Sequence, residues 1–472
     1  MIITDILGWV QDELAGLALG DARLHQRQAL LLSAFYQHSQ ASIPTACCGW
    51  EEIKGAYRFL AHAAVTPAAV VAPHLAATLR RIAGVPWVVI PQDTTELDFS
   101  HTRVAGAIGP LSIPERVGWF LHLSAAFTLD RVCLGVVGTE VWTRDPDDVH
   151  KNARHKRVPL DEKESQRWLT GFRLACTVAV AAPATQVVSV ADREGDIYEI
   201  FLETASGTEA RQAAWVIRAC QDRSLPEKMP GTAQTYQKLW ARVAASPVLG
   251  EVTYDLPAKG GRPARRVQQT VHAAEVLLRP PYRPDGKLAP VTIHAVLLRE
   301  TAPPPGEAPI EWLLLTSLPV DTWEAVRLVI ECYLCRWQIE CFFKVLKSGC
   351  RVEKLQLETP ERVLACLSLY LIVSWRILYL TMLGRTCPDL PCTVVFGEAE
   401  WKAVFSIEQR GHPPAEPPSL AAMVQAVARQ GSYVGRAGDG APGIVSIWTG
   451  LQRVMDYARA WEAFGPESNT YG

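Results

Sequence analysis

Two apolar runs that each turn abruptly polar at an aspartate constrain the fold of this 472-residue chain more than any other feature. The first run, VPWVVIPQDTTELDF, becomes polar at Asp93, and the second, QVVSVADREGDIYEIF, becomes polar at Asp192. Short runs rich in β-branched residues are typical of buried β-strands. The sequence therefore predicts two core strands, each with an aspartate at its polar end.

The segments between these runs indicate how the two strands are connected. GWFLHLSAAFTLD and VCLGVVGTEVWTR lie close together and predict an antiparallel strand pair. Residues 161–182 predict a helix with an acidic first turn. The resulting order β-β-β-α-β is typical of an RNase H-like fold, in which the fourth strand lies parallel to the first. We therefore expect Asp93 and Asp192 to be neighbours at one edge of an α/β core.

Two neighbouring carboxylates repel each other and are costly unless a cation lies between them. Mg²⁺ prefers oxygen ligands, and two such ions can activate a nucleophile and stabilise the leaving oxygen in a displacement at phosphorus. The stretch YLCRWQIECFFKVLKSG offers a third carboxylate, Glu340, on a predicted helix. At about 100° per residue, one stripe of that helix carries Tyr333, Arg336, Glu340, Lys344 and Lys347. The stripe fits a metal and phosphate site, and it also fits a solvated face with i,i+4 ion pairs.

The flanking regions read as separate modules. Residues 1–70 predict a compact helical domain, residues 71–385 an α/β core with a β-rich region at about 207–320, and residues 386–472 a helical C-terminal domain. CPDLPC, residues 387–392, reads as a linker. The apolar stretch RVLACLSLYLIVSWRILYLTMLG predicts a buried core helix rather than a membrane span.

Charge and cysteine usage narrow the possible partners and the compartment. The net charge is −2, but HKNARHKR (150–157) and KGGRPARR (259–266) are basic clusters that suit either phosphate binding or solvated loops. Cys332-x-x-Cys335 lacks a second ligand pair at zinc spacing, so the cysteines predict buried thiols in a reducing compartment. We expect a cytoplasmic protein with no signal peptide and no membrane partner.

The motifs together resemble a known family. QDTTELDF, ADREGDIYEIF and Tyr333-x2-Arg336-x3-Glu340-x6-Lys347 resemble the bacterial insertion-sequence transposases of the DDE class that carry a YREK motif. LGDARL and GAYRFL near the N-terminus resemble that family's end-DNA-binding domain. GDGAPGIVSIWTGLQR resembles its dimerisation domain. The resemblance extends over nearly the whole chain, and the family's β-rich insertion agrees with the strand-rich region before Glu340.

The resemblance implies a role for each motif residue. It implies that Asp93, Asp192 and Glu340 are catalytic and hold two Mg²⁺ ions, for which Mn²⁺ can substitute. It implies that phosphates near the transposon 5′ end are gripped by Tyr333, Arg336 and Lys347. It also implies that Trp312 stacks on a flipped base, although an ordinary core aromatic is an alternative. The further expected DNA contacts are Arg27, Tyr57, Arg58, Arg218 and Lys344, with Trp337 as a second stacking candidate.

The implied function is Mg²⁺-dependent cut-and-paste transposition. A homodimer would bind the terminal inverted repeats, nick the DNA, form and reopen a hairpin, and join the freed 3′ end to target DNA, in association with the bacterial nucleoid. Two alternatives stay open at this point. One is a DNA-binding regulator whose catalytic face is unused, and the other is an RNase H-like nuclease that lacks strand transfer.

Overall fold

The computed structural model describes residues 6–16, 19–47, 49–145, 163–206, 212–228, 235–258, 263–283, 286–436 and 438–466. The basic cluster at 150–157 and the first half of the cluster at 259–266 lie outside these ranges. The described residues form two compact units. Unit 1 comprises those within 1–81, 94–150 and 338–472, and unit 2 comprises those within 82–93 and 151–337.

The helices of unit 1 come from both ends of the chain. They are α1 (Gly8–Glu13), α2 (Ala22–Gln37), α3 (Ile43–Cys47), α4 (Trp50–Leu60) and α5 (Pro67–Ala83), which extends just past residue 81, then α10 (Trp337–Lys344), α11 (Pro360–Thr386), α12 (Glu398–Gln409), α13 (Leu420–Gln430) and α14 (Ile444–Phe464). The helices of unit 2 are α6 (Gln166–Ala181), α7 (Tyr198–Ser206), α8 (Leu239–Ala244) and α9 (Trp323–Leu334). The predicted N-terminal helical region therefore continues through α5, beyond residue 70.

The strands are β1 (Trp87–Asp98), β2 (Gly118–Phe127), β3 (Cys133–Trp142), β4 (Gln186–Ala191), β5 (Ala214–Arg218), β6 (Ser224–Lys228), β7 (Tyr236–Lys238), β8 (Val248–Leu256), β9 (Arg265–Leu278), β10 (Val291–Glu300) and β11 (Glu311–Thr316). In the main sheet the order is β3-β2-β1-β4-β5-β11-β10-β9-β8. β2 and β3 are antiparallel, whereas β4 is parallel to both β1 and β5. The order 3-2-1-4-5, with α6 connecting β3 to β4, confirms the predicted RNase H-like core.

The strand-rich insertion of unit 2 extends this sheet. β11 pairs antiparallel with β5, and β10, β9 and β8 continue as an antiparallel series. Alternating burial along β9 shows one side of that strand packed and the other open to solvent. The insertion is therefore continuous with the core sheet through the β5–β11 pairing.

Helix α11 is the apolar helix that the sequence predicts to be buried. By length and composition it could cross a membrane, but 89% of its apolar window is buried inside the protein. Trp375 on α11 donates its indole N–H to the Cys133 carbonyl of β3 at 2.9 Å, and Tyr370 stacks on Phe35 of α2. These contacts make α11 a core helix of unit 1.

Two expectations from the sequence are wrong. The stretch from Tyr333 to Gly349 is not one helix: α9 ends at Leu334, a turn covers Cys335 and Arg336, and a π-helical turn follows α10 at Val345–Gly349. The predicted single stripe is therefore interrupted, and only Glu340 and Lys344 keep their i,i+4 relation within one α-helix. CPDLPC is not a free linker, because Cys392 is buried and the Leu390 carbonyl accepts from the Leu420 amide at 2.6 Å.

Candidate active site

The register of β1 and β4 in unit 2 places the two aspartates side by side. The parallel pairing runs from Trp87↔Gln186 to Pro91↔Val190, a constant offset of 99 (186 − 87 and 190 − 91). Continued by two residues, the same offset brings Asp93 level with Asp192 (192 − 93 = 99). Neighbouring strands lie about 4.8 Å apart, so the two residues are neighbours. The expected strand end at Asp93 is wrong, because β1 continues to Asp98 and only Asp192 directly follows the end of its strand.

The backbone around Asp192 turns immediately after β4. The Asp192 side chain caps a 3₁₀ turn by accepting from the Glu194 amide at 2.8 Å. The second aspartate of the same ADREGD segment, Asp196, has a different role. It is buried and accepts from the Cys220 and Gln221 amides and from the Arg223 guanidinium. The turn therefore separates a half-buried Asp192 at the sheet edge from an Asp196 that anchors a neighbouring loop.

The Arg336 guanidinium forms an ion pair with the Asp93 carboxylate. Arg336, in the turn after α9, donates from Nη1 to Asp93 Oδ2 at 3.0 Å, and the two side chains are 17% and 19% exposed. A cation at this position offsets the repulsion between the two aspartates. The pair keeps some access to solvent, so its charges remain reachable by a charged substrate.

An aromatic and basic cluster in unit 2 adjoins these carboxylates. Trp312 on β11 meets the Tyr333 ring edge-on with centroids 5.7 Å apart, and the Arg218 guanidinium lies 5.8 Å from the Trp312 ring. Burial raises the pKa of Tyr333, and Asp192 adds to the increase, whereas Arg218 and Arg336 oppose it. Three charged groups, Asp192, Arg218 and Arg336, thus act on the Tyr333 hydroxyl, and the Tyr333 ring also contacts Trp312. Trp312 is half-buried, which leaves part of its ring accessible.

The donor chemistry of the two aspartates fits a hard divalent cation, since both supply anionic oxygen ligands. Within the described ranges, no group of three or more His, Cys, Asp or Glu side chains is gathered closely enough to hold a metal. The predicted third ligand, Glu340, is half-buried on α10 and belongs to unit 1. Its assembly with Asp93 and Asp192 stays a prediction.

The two lysines of the motif differ in their surroundings. Lys344 is exposed at the end of α10. Lys347, in the π-helical turn, donates to the Glu96 carbonyl at 2.7 Å and pairs with Glu353 at 3.3 Å. Lys347 therefore already has protein partners in unit 1, and a phosphate would have to share or displace them. Trp337 is 58% exposed, which excludes the core alternative for that ring.

The N-terminal candidates line an open groove in unit 1. Arg27 on α2 pairs with Glu52 on α4 and shares with Arg58 the lining of a cavity of about 690 Å³. A side-chain carbon at position 55 would lie 2.5 Å from the Arg27 guanidinium, so Gly55 of the GAYRFL motif makes room for it. Tyr57 faces a different, smaller cavity beside Arg351 and Lys354. The groove thus carries two of the predicted DNA-contacting arginines.

Some important side chains were missed by sequence reasoning. Glu353 and the Glu96 carbonyl hold Lys347, and Arg223 holds Asp196, through contacts between residues far apart in the chain. No local pattern signals such pairs. Arg265, in the described half of the 259–266 cluster, pairs with Glu300 across β9 and β10, so its charge is used within the sheet.

Comparisons with known proteins give three matching family models. A transposase DNA-binding model matches residues 6–65, a transposase DDE-domain model matches residues 202–375, and a Tn5-transposase dimerisation model matches residues 372–464. The DDE match contains Trp312, Tyr333, Arg336 and Glu340 and begins after Asp192. The three matches follow the order of the modules expected from the sequence.

Similar curated proteins are transposases of Escherichia coli. InsL of insertion sequence element IS186A (strain K12) and the transposase of element IS421 are each 43% identical over 65 residues. That segment covers 14% of this chain, and the chain spans 17% of the length of either relative. A solved piggyBac transposase synaptic complex with hairpin DNA covers 82% of this chain and 73% of its own at 10% identity. Its TM-score of 0.34 lies below the level at which a shared fold follows.

Proposed function

We propose that this chain, a DDE transposase of the insertion-sequence type by its three matched domains, binds the terminal repeats of its element and moves that element by cut-and-paste transposition. DDE domains belong to enzymes that transfer phosphoryl groups on DNA with divalent metal ions. The specific proposal is Mg²⁺-dependent nicking, hairpin formation and resolution, and strand transfer. Its partners are terminal and target DNA and a second copy of the chain, in the cytoplasm beside the nucleoid.

The observation that carries the proposal is the level placement of Asp93 and Asp192 beside Arg336, Tyr333 and Trp312. Paired carboxylates supply metal ligands, and the arginine supplies a fork that matches phosphate oxygens. An accessible tryptophan beside them supplies a surface for a base. An enzyme that only hydrolyses a phosphodiester needs the carboxylates but has no use for the stacking ring.

The residues divide the chemical work among them. Asp93, Asp192 and Glu340 would hold two divalent ions, which when bound lower the pKa of a nucleophilic oxygen and stabilise the leaving oxygen. Arg336 would move from Asp93 to a phosphate as DNA enters, because a guanidinium binds phosphate in a bidentate manner. Tyr333 stays protonated at neutral pH because burial raises its pKa, so its hydroxyl can donate to a phosphate oxygen. Lys347 would add a second cation.

The ring of Trp312 would hold a flipped base while the DNA end is folded into a hairpin. Stacking of a base on an aromatic ring contributes roughly 1–3 kcal/mol. Arg218 lies over the same ring and would position the adjoining phosphate. The exposed ring of Trp337, the first residue of α10, offers a second surface on which a base would stack.

The remaining modules would recognise DNA ends and pair two copies. Arg27 and Arg58 would contact the terminal repeat from the groove between α2 and α4, and Lys344 would contact the backbone from α10. The segment matched by the dimerisation model contains α12, α13 and α14, which would supply the contact between the two copies. A regulator with an unused catalytic face would show the binding without the chemistry.

Excision of DNA that carries the element's own ends tests the proposal. We expect Mg²⁺-dependent excision that is lost in Asp93→Asn, Asp192→Asn and Glu340→Gln, while end binding in a gel-shift assay persists. Trp312→Ala should slow hairpin formation more than the first nick. Normal excision by all three carboxylate variants would refute the assignment, and end binding without any wild-type cleavage would favour the regulator.

A further inference from the structure

A second cavity, entirely within unit 1, is walled by aromatic rings and two arginines. Its volume is about 450 Å³, within the usual range for small-molecule sites. The rings of Trp9, Tyr36, Trp375 and Tyr379 line it, and its rim includes the loop before α12. None of these residues belongs to the proposed catalytic or DNA-binding set.

One of the two arginines, Arg81, is fully engaged. Its Nη1 and Nη2 donate to the two carboxylate oxygens of Glu13 at 2.8 and 3.0 Å, and its Nε donates to the Leu134 carbonyl at 2.6 Å. Nη2 also donates to Thr78, and the guanidinium stacks 4.2 Å from the Trp375 ring. Arg81 and Glu13 therefore neutralise each other and leave little capacity for a ligand.

The other arginine, Arg376, is not satisfied in the same way. It is 6% exposed, donates from Nη2 to the Val395 carbonyl at 2.9 Å and makes a side-chain hydrogen bond with Tyr36, but its Nε has no hydrogen-bond partner among the described residues. Its guanidinium lies 5.1 Å from the Trp9 ring and 5.8 Å from the Tyr379 ring. The indole N–H of Trp9 likewise has no partner in the described part of the chain. Two buried hydrogen-bond donors in this cavity therefore lack acceptors among the described residues, and a bound ligand with acceptor atoms would satisfy them.

The acidic groups of this cavity do not cancel the charge of Arg376. Glu13 is bound by Arg81 and His74, and Asp12 lies at the rim. Burial raises the pKa of Glu400 to about 7, although Arg376 and the Gly397 amide oppose that increase. A substantial fraction of Glu400 is therefore uncharged at neutral pH. Arg376 therefore supplies a buried positive charge beside the aromatic walls of the cavity.

From this arrangement we propose that the cavity binds a planar ring that carries an acidic group, of the kind found in a nucleoside monophosphate. Aromatic rings stack on the Trp9 and Tyr379 walls, and a guanidinium prefers a phosphate or carboxylate over a neutral acceptor. The same chemistry is present in a free nucleotide and in the terminal nucleotide of a DNA strand. The site uses no residue of the carboxylate cluster and is independent of catalysis.

Titration of the full-length protein with adenosine monophosphate, without divalent metal, tests the site. We expect a saturable rise in the melting temperature, because a ligand that binds only the folded state stabilises it. Adenosine and inorganic phosphate, tested separately, should each bind at least tenfold more weakly. Adenosine monophosphate that has no effect at millimolar concentration, or binds no better than inorganic phosphate, would overturn the proposal.

Matched variants separate this site from the rest of the protein. Val394→Trp fills the exposed rim and Arg376→Lys keeps the charge without the fork, and each should weaken binding at least tenfold. Arg362→Ala on the half-buried start of α11 and Asp192→Asn should leave binding unchanged. Equal binding by Val394→Trp and wild type would contradict the location. A single-stranded oligonucleotide that competes with the nucleotide would identify a strand end as the natural source, and failure to compete would identify a free nucleotide.

Discussion

Two carboxylates of this protein, Asp93 in unit 2 and Glu13 in unit 1, are each paired with an arginine, but their surroundings differ. Glu13 is 4% exposed and receives hydrogen bonds from Arg81 and from His74, whose ring is completely buried. Asp93 and Arg336 meet at 3.0 Å where solvent still reaches both. In the first pair the carboxylate itself is buried and only Arg81 meets solvent, whereas in the second pair the carboxylate keeps some exposure.

The difference also appears in protonation. The Val136 amide donates to Nε2 of His74 at 2.9 Å, so Nδ1 carries the proton and donates to Glu13 at 2.5 Å. Burial lowers the pKa of His74, which keeps the ring neutral. Burial alone raises the pKa of Glu13, but the bonds from His74 and Arg81 outweigh it and the pKa is lowered. The Glu13 network is thus fixed by its partners, whereas an accessible pair such as Asp93–Arg336 can exchange its partner for a ligand.

The largest effect should come from Asp93→Asn, and it should fall on catalysis. Loss of a metal ligand removes several kcal/mol of transition-state stabilisation, which is roughly a 10³-fold loss of excision rate or more. The free energy of unfolding should change less than in Glu13→Gln, because both Asp93 and Arg336 keep some exposure to solvent. Excision kinetics and urea unfolding measure the two quantities. Asp98→Asn, at the last residue of the same strand, is the control and should keep activity.

Glu13→Gln should produce the reverse pattern. Removing one partner of a buried ion pair leaves the other charge uncompensated and costs about 3–5 kcal/mol. We expect a large loss of unfolding free energy in urea, with excision by the remaining folded protein nearly normal at low temperature. Glu398→Gln removes an exposed partner of Lys402 and serves as the control. A loss no larger than that of the control would contradict the contrast between the two sites.

The same contrast explains which parts of the structure were predictable from the sequence. The order of β1 to β4, the intervening helix α6 and the buried α11 follow from local composition and periodicity, and the structure confirms them. The parallel pairing of β1 with β4 was also predicted, but the end of the first strand was not, because β1 continues past Asp93 to Asp98. These features depend on residues that are close in sequence or on a regular sheet.

Features that depend on distant partners were not predictable. No glycine or proline marks the break at Cys335 and Arg336, where Arg336 reaches an aspartate 243 positions earlier in the chain. The burial of Cys392 depends on its contact with the Pro418 carbonyl, which a local reading of CPDLPC as a linker cannot include. The predicted domain boundaries and the assembly of Glu340 with the aspartates remain predictions for the same reason.

Glu400 is a third carboxyl group, and here the increase in pKa caused by burial exceeds the decrease caused by Arg376 and the Gly397 amide. Its pKa of about 7 lies above the ordinary 4.5. A raised pKa means that the protonated form suits the folded state, so this stability is complete below about pH 4.5 and is lost as the pH rises through 7. Glu400→Gln mimics the protonated form and should stabilise the protein by roughly 1–3 kcal/mol at pH 8.5 and by little at pH 5. Urea unfolding at both pH values measures this, and equal shifts would contradict it.

The smallest effect should come from the exposed pair of Arg173 and Glu203 in unit 2. Its geometry is excellent, with a bidentate contact and one N–O distance of 2.5 Å, shorter than the 3.0 Å between Arg336 and Asp93. Even so, a double-mutant cycle on Arg173→Ala and Glu203→Ala should give a coupling energy of only about 0.2–1 kcal/mol, which falls with added salt. A coupling energy as large as the loss of unfolding free energy in Glu13→Gln would mean that contact geometry determines the strength of these ion pairs. A small coupling energy would mean that exposure to solvent determines the strength of these ion pairs. That result would support a role in stability for Glu13 and a role in catalysis for Asp93.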